Sequence, residues 1–158
     1  MGILRLGSGG GLVFALIFDI IALSTPGWIY VNPSSCTNCD YAQGLFQNVS
    51  GNTTTETIRG DAEKVAISFQ IMGDVILICA AIALCIGGGK KGQEVVGKVG
   101  GVLSFVAGIF IMIGVASYTG LYASFVEEKN VDWGYSFAFA WTASCICIIA
   151  APLAFIDK

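Results

Sequence analysis

The chain contains no histidine among its 158 residues, and charged residues make up only 12% of it. The first absence removes the commonest metal ligand and the usual acid/base at neutral pH. No nucleophile has a base partner in the sequence pattern, and no phosphate-binding glycine loop follows a strand, so neither catalysis nor a cofactor is expected. Gly87-Gly88-Gly89-Lys90-Lys91 resembles such a loop only superficially and reads as a turn. With 8 basic against 11 acidic residues the net charge is −3, and there is no basic stripe, which sets nucleic-acid binding aside. Long polar linkers, low-complexity tails and charge blocks are also missing. A second folded domain therefore has no sequence to be made from.

What the chain has in excess is apolar sequence, at 55%. A membrane-spanning helix needs about twenty mostly apolar residues, and four runs meet that test, at about 9–28, 65–88, 95–125 and 135–156. None alternates with a period of two, so helices are expected rather than a barrel. The expected fold is an all-α membrane domain, a single unit over 1–158, with the lipid bilayer as its surroundings. It has outer loops at about 29–64 and 126–134 and an inner loop at about 89–94. The third run exceeds the bilayer, and its last turns, from Tyr118 to Phe125, are expected to project beyond it. A cleaved leader is the competing reading of the first run, since Arg5 precedes an apolar stretch and the small residues near Ala22 to Thr25. Cleavage would discard the helix that leads into Trp28.

Arg5, Lys90, Lys91, Lys98 and Lys158 fall on one side of this arrangement, and Arg59, Lys64 and Lys129 on the other. The Lys/Arg bias places the first side, with both termini, in the cytosol of a multi-pass plasma-membrane protein. The long outer loop carries two N-glycosylation sequons, at Asn48 and Asn52, which agrees with that orientation. Cys36 and Cys39 share the same loop, where an oxidising compartment favours a disulfide. Cys79, Cys85, Cys145 and Cys147 read as reduced thiols inside helices. Cys85, beside the inner loop, is the palmitoylation candidate.

Small residues four apart allow helices to approach closely in lipid, and Gly7, Gly11 and Ala15 form one such row, Gly100, Ser104 and Gly108 another. Both read as packing seams within the bundle, with a dimer face as the alternative. Two acids, Asp19 and Asp74, lie inside the predicted membrane, where an ionisable group is costly enough to count as a functional hypothesis. Counted from the outer helix ends, both lie roughly 13 to 15 Å deep, and Gln70 is one turn from Asp74 on the same face. They form either a proton or cation site, or a pair of neutral, hydrogen-bonded acids that fixes the packing.

The order of features resembles the claudin and peripheral myelin protein superfamily. A first helix leads to Trp28, a loop of about forty residues holds Gly44-Leu45-Phe46, and three helices follow. The lens fibre intrinsic membrane protein and peripheral myelin protein branch is nearest in character. Tyr118-Thr119-Gly120 and the stretch from Asp132 to Phe137, with Trp141, strengthen the likeness, which covers essentially the whole chain. It implies a left-handed four-helix bundle with a small antiparallel sheet in the first outer loop. The family's cysteine pair follows its Gly-Leu-Trp element, whereas Cys36 and Cys39 precede Gly44. Phe155-Ile156-Asp157-Lys158 follows the last span directly, so no scaffold-binding tail is expected.

The resemblance implies a structural protein that organises membranes or cell contacts through its outer loops, as a homo-oligomer. Trp28, Tyr30, Leu45 and Phe46 then either supply the contact surface or pack the loop onto the bundle. An accessory subunit, of the gamma type, beside a channel or another membrane protein is the alternative. Cation-selective conduction is a third reading, because the outer loops hold Asp40, Glu56, Asp61, Glu63, Glu127, Glu128 and Asp132 against three bases.

Overall fold

A computed structural model describes residues 3–31, 41–50, 53–56, 60–89, 93–129 and 131–156. Four helices dominate it: α1 (Ile3–Ser24), α2 (Asp61–Gly89), α3 (Glu94–Lys129) and α4 (Tyr135–Ile156). Each contains a stretch long and apolar enough to cross a bilayer. Both α1 and α3 pack against α2 and α4, which closes a four-membered ring.

The buried positions set the handedness of that ring. In α1 the buried stripe runs through Arg5, Ser8, Leu12, Ala15, Asp19 and Ala22, with Gly9 beside it, and in α4 through Ser136, Ala140, Ala143, Cys147, Ala150 and Ala154, with Ser144 and Ala151 beside it. Steps alternating between three and four give a 3.5-residue repeat, the pattern that supercoils helices to the left. Large side chains such as Phe14, Val75, Ile82 and Ile149 face outward instead. Gly7 is exposed, and a Cβ there would meet nothing within 4 Å; Gly9 takes the close approach to α2, facing the Cys85 sulfur. The first of the two small-residue rows thus lies on the seam at Ala15 and departs from it toward Gly7, because a four-residue step drifts off a 3.5-residue stripe. Gly100 faces Leu84 of α2, whereas Ser104 and Gly108 face Cys147 and Ser144 of α4, so the second row spirals across two seams.

The helix ends follow from local chemistry. α1 stops at Ser24, short of Trp28, because Pro26 has no N–H and confines Thr25 to extended backbone. Thr25 closes the last turn by donating its N–H and its Oγ1 to the Ile21 carbonyl, at 3.1 and 2.6 Å. At the other end α1 reaches back to Ile3, so its apolar span runs from Leu4 to Ser24. α2 begins with half of a capping box: the Gly60 N–H donates to Glu63 Oε2 at 3.0 Å. α3 has 36 residues, about 54 Å at the helical rise, against roughly 30 Å of hydrocarbon.

Five short strands sit where α1 and α3 end and α2 and α4 begin. They are β1 (Ile29–Val31), β2 (Tyr41–Gln43), β3 (Gln47–Ser50), β4 (Thr53–Glu56) and β5 (Val131–Trp133). All pairs are antiparallel, in the spatial order β4-β3-β2-β1-β5. The expected sheet used the first loop alone. The structure adds β5, from the segment after α3, with Tyr30 opposite Asp132.

Candidate functional site

The sheet and its seat on the bundle form a cap, built upward from Trp28. Trp28 is 0% exposed, and its indole N–H donates to the Ala22 carbonyl at 2.7 Å, occupying a group left over at the end of α1. Its ring lies against Tyr118 of α3, centroids 4.8 Å apart, and Phe137 of α4 at 6.1 Å. Tyr118 continues to Tyr122 at 4.7 Å, and Phe137 stacks on Trp133 of β5 at 4.4 Å. One aromatic column therefore crosses from α3 through the foot of β1 to α4 and the far edge of the sheet.

The backbone around Trp28 is bonded on both sides. Its N–H donates to the Gln43 carbonyl at 3.0 Å, and its own carbonyl accepts the Gly134 N–H at 2.9 Å. The Gly27 carbonyl accepts the Ser136 N–H at 2.9 Å, which caps the start of α4. Thr25 and Ser136 hydroxyls add a bond of 2.6 Å. Gly44 opens the turn between β2 and β3, and a Cβ there would come within 2.5 Å of Pro26 Cα and 2.8 Å of the Thr25 carbonyl. Glycine at that motif position is thus required by the approach of two backbones. Leu45, 2% exposed, and the partly buried Phe46 pack beneath the turn. Trp28 and Leu45 hold the cap on the bundle and are not part of its surface.

A polar connection completes the seat. Gln43 Nε2 of β2 donates to the Tyr122 hydroxyl at 2.8 Å, and that hydroxyl donates in turn to Glu63 Oε1. Glu63 is almost fully buried and also caps α2, so one carboxylate joins β2, α2 and the extended end of α3. The bond from Gln43 sets the turn of α3 at Tyr122 beside β2 of the cap. Burial, followed by the nearby Glu63 charge, pushes the Tyr41 phenol above its ordinary value. The Tyr30 phenol is raised by burial and then by Tyr135, whose ring lies 6.1 Å away.

The surface of the cap is polar with isolated aromatics. Thr53, Thr54 and Thr55, Gln47, Ser50 and Asp132 are exposed, as are Tyr30 at 36% and Tyr135 at 45%. Asn48 lies on β3, partly exposed and opposite Thr55. Cys36, Cys39 and Asn52 lie outside the described residues, as do Asp40 and Arg59. Sequence reasoning missed β5: the apolar-polar-aromatic run Val131-Asp132-Trp133 before Gly134 is only three residues long. It also missed Glu63 as a junction. The signal there is its place three residues after Gly60, at the start of an apolar run.

The intramembrane acids form a separate group. Asp19 of α1 is fully buried and accepts a hydrogen bond from Gln70 Nε2 of α2, with Asp74 close enough to Asp19 for a side-chain hydrogen bond. At the opposite end of the bundle Arg5 donates Nε to the Ala154 carbonyl at 3.0 Å, which ties α1 to the last turn of α4. Cys85 is exposed on α2, toward that same end. No group of three or more His, Cys, Asp or Glu side chains that could hold a metal ion occurs among the described residues.

No curated protein matches the chain. The sequence model of the PMP-22/EMP/MP20/Claudin family matches residues 11–154, from the first helix to the last turn of the fourth. With four spanning helices beneath a small antiparallel sheet whose Gly44 and Trp28 are fixed by backbone contact, the chain belongs to that family.

Proposed function

We propose that the chain is a structural protein that organises membranes or cell–cell contacts through its cap, as a lateral homo-oligomer in the plasma membrane with both termini in the cytosol. The observation that supports this most is the union of the α1–α2 and α3–α4 segments in one sheet, seated on an aromatic column. A preformed surface loses little conformational entropy when a neighbour docks on it. Tyr30 and Tyr135 supply exposed aromatics of the kind such contacts use. Glycans on Asn48 and Asn52 and a Cys36–Cys39 disulfide belong to the same reading, which places the cap outside the cell. Acylation of Cys85 would add an anchor at the inner boundary.

The test is expression in adhesion-deficient cells. Accumulation where two expressing cells meet, and not where an expressing cell meets a bare one, is the expected result. Uniform surface distribution together with stable co-purification of a channel would displace this reading in favour of an accessory subunit.

A further inference from the structure

Five residues before the end of α1 and near the middle of α2, three side chains meet that the cap does not use. Asp19 is 0% exposed and Gln70 1%. The Gln70 amide donates to Asp19 Oδ1, and the Asp19 and Asp74 carboxyl groups lie within hydrogen-bond reach of each other. The titratable group that faces both acids from α4 is Cys147, a buried thiol. α3 presents the uncharged Gly114 to Gln70. Among the described residues no Lys or Arg contributes to the field at either acid.

Three buried oxygens at this place have no donor among the described residues: Asp19 Oδ2, Asp74 Oδ1 and Gln70 Oε1. Two ionised carboxylates side by side at this depth repel each other and are poorly solvated. A proton on either turns that repulsion into an O–H···O bond and satisfies an orphaned oxygen on the other acid. Gln70 orients the group: its amide N–H is committed to Asp19 Oδ1, while its oxygen lies toward Gly114 of α3. The fully buried Asp19 therefore has one oxygen bonded to Gln70 and a second, Oδ2, with no donor among the described residues.

We propose that Asp19, Gln70 and Asp74 form an intramembrane proton-binding site, in which the two carboxyl groups hold at least one proton between them at neutral pH. The bound proton is a bonded part of the α1–α2 interface. No redox or group-transfer step is involved: the proton comes from water and returns to it.

Infrared spectroscopy of the intact chain in lipid nanodiscs tests this. At neutral pH exposed carboxyl groups are ionised, so the carbonyl stretch of a protonated acid comes from Glu63 of the cap or from the Asp19–Asp74 pair, and a double variant of the pair separates the two. The expected spectrum retains, at pH 7, one to two of the eleven acidic side chains' worth of the intensity seen in acid, with a shift in heavy water. That intensity disappears in the Asp19→Asn/Asp74→Asn double variant, whose amides can donate without a proton. The titration of the unaltered chain stands as a second measurement if that variant does not fold. Loss of the whole band by pH 7 would overturn the proposal. So would a melting temperature that rises with sodium but not with choline, because the oxygens would then hold a metal cation.

Discussion

Trp28 concentrates the seat of the cap in one side chain. Its ring fills the space between α3 and α4, and its N–H ends α1. Trp28→Ala should therefore lower stability by about 3–5 kcal/mol, the range for a large buried aromatic. Trp28→Phe keeps most of the packing and loses the bond to Ala22, for about 1 kcal/mol. Thermal unfolding in micelles, followed by near-ultraviolet dichroism, separates the two. Glu63 is the polar counterpart. Tyr122→Phe removes the hydroxyl shared by Gln43 and Glu63 and leaves a buried carboxylate short of a donor, so a loss of about 1–3 kcal/mol is expected. The capping bond from Gly60 remains, and α2 should keep its full helical content.

At the scale of elements, the seams are built from small residues and the lipid faces from large ones. Every buried position of the α4 stripe is Ser, Ala or Cys. Ala143→Leu, facing inward, should overpack that seam and cost about 1–3 kcal/mol, whereas Ile149→Leu, facing lipid, should leave the melting temperature unchanged. This explains what the sequence made legible. Four helices could be counted from hydropathy, but both faces of each are apolar, so hydropathy does not say which face is inside. The small residues carry that information, and a four-residue row such as Gly7, Gly11, Ala15 follows it only locally. Trp28 and Gly44 stood out by type and order, while their contacts with Tyr118 and Pro26 depend on segments distant in sequence. β5 has three residues, too few for periodicity to announce. The cap also has a pH signature. A raised phenol value means that the folded cap holds the Tyr41 and Tyr30 protons more tightly than the unfolded chain. That contribution is complete below about pH 10 and is lost as pH rises through the higher folded values. Phenolate absorbance during an alkaline titration should show these two ionising late, with loss of the sheet following.

For the whole molecule, the two ends of the bundle are secured by different means. At the cap end the strands, the aromatic column and Glu63 join every helix. At the opposite end, Arg5 holds the α4 carbonyl of Ala154, so Arg5→Ala should loosen α1 from α4 there while leaving the cap intact. Faster amide exchange limited to the last turn of α4 would check it. The pairing of β5 with β1 has a consequence for synthesis. β1 follows the first helix and pairs with β2 on one side, yet β5, its partner on the other, emerges only after the third helix, and Phe137 of the fourth completes the pocket of Trp28. A growing chain thus carries an open strand edge and an uncovered tryptophan until its final helix enters the membrane. Closure of the sheet reports that all four have been inserted, and a chain stopped before residue 131 would display both unfinished surfaces to whatever machinery inspects new membrane proteins.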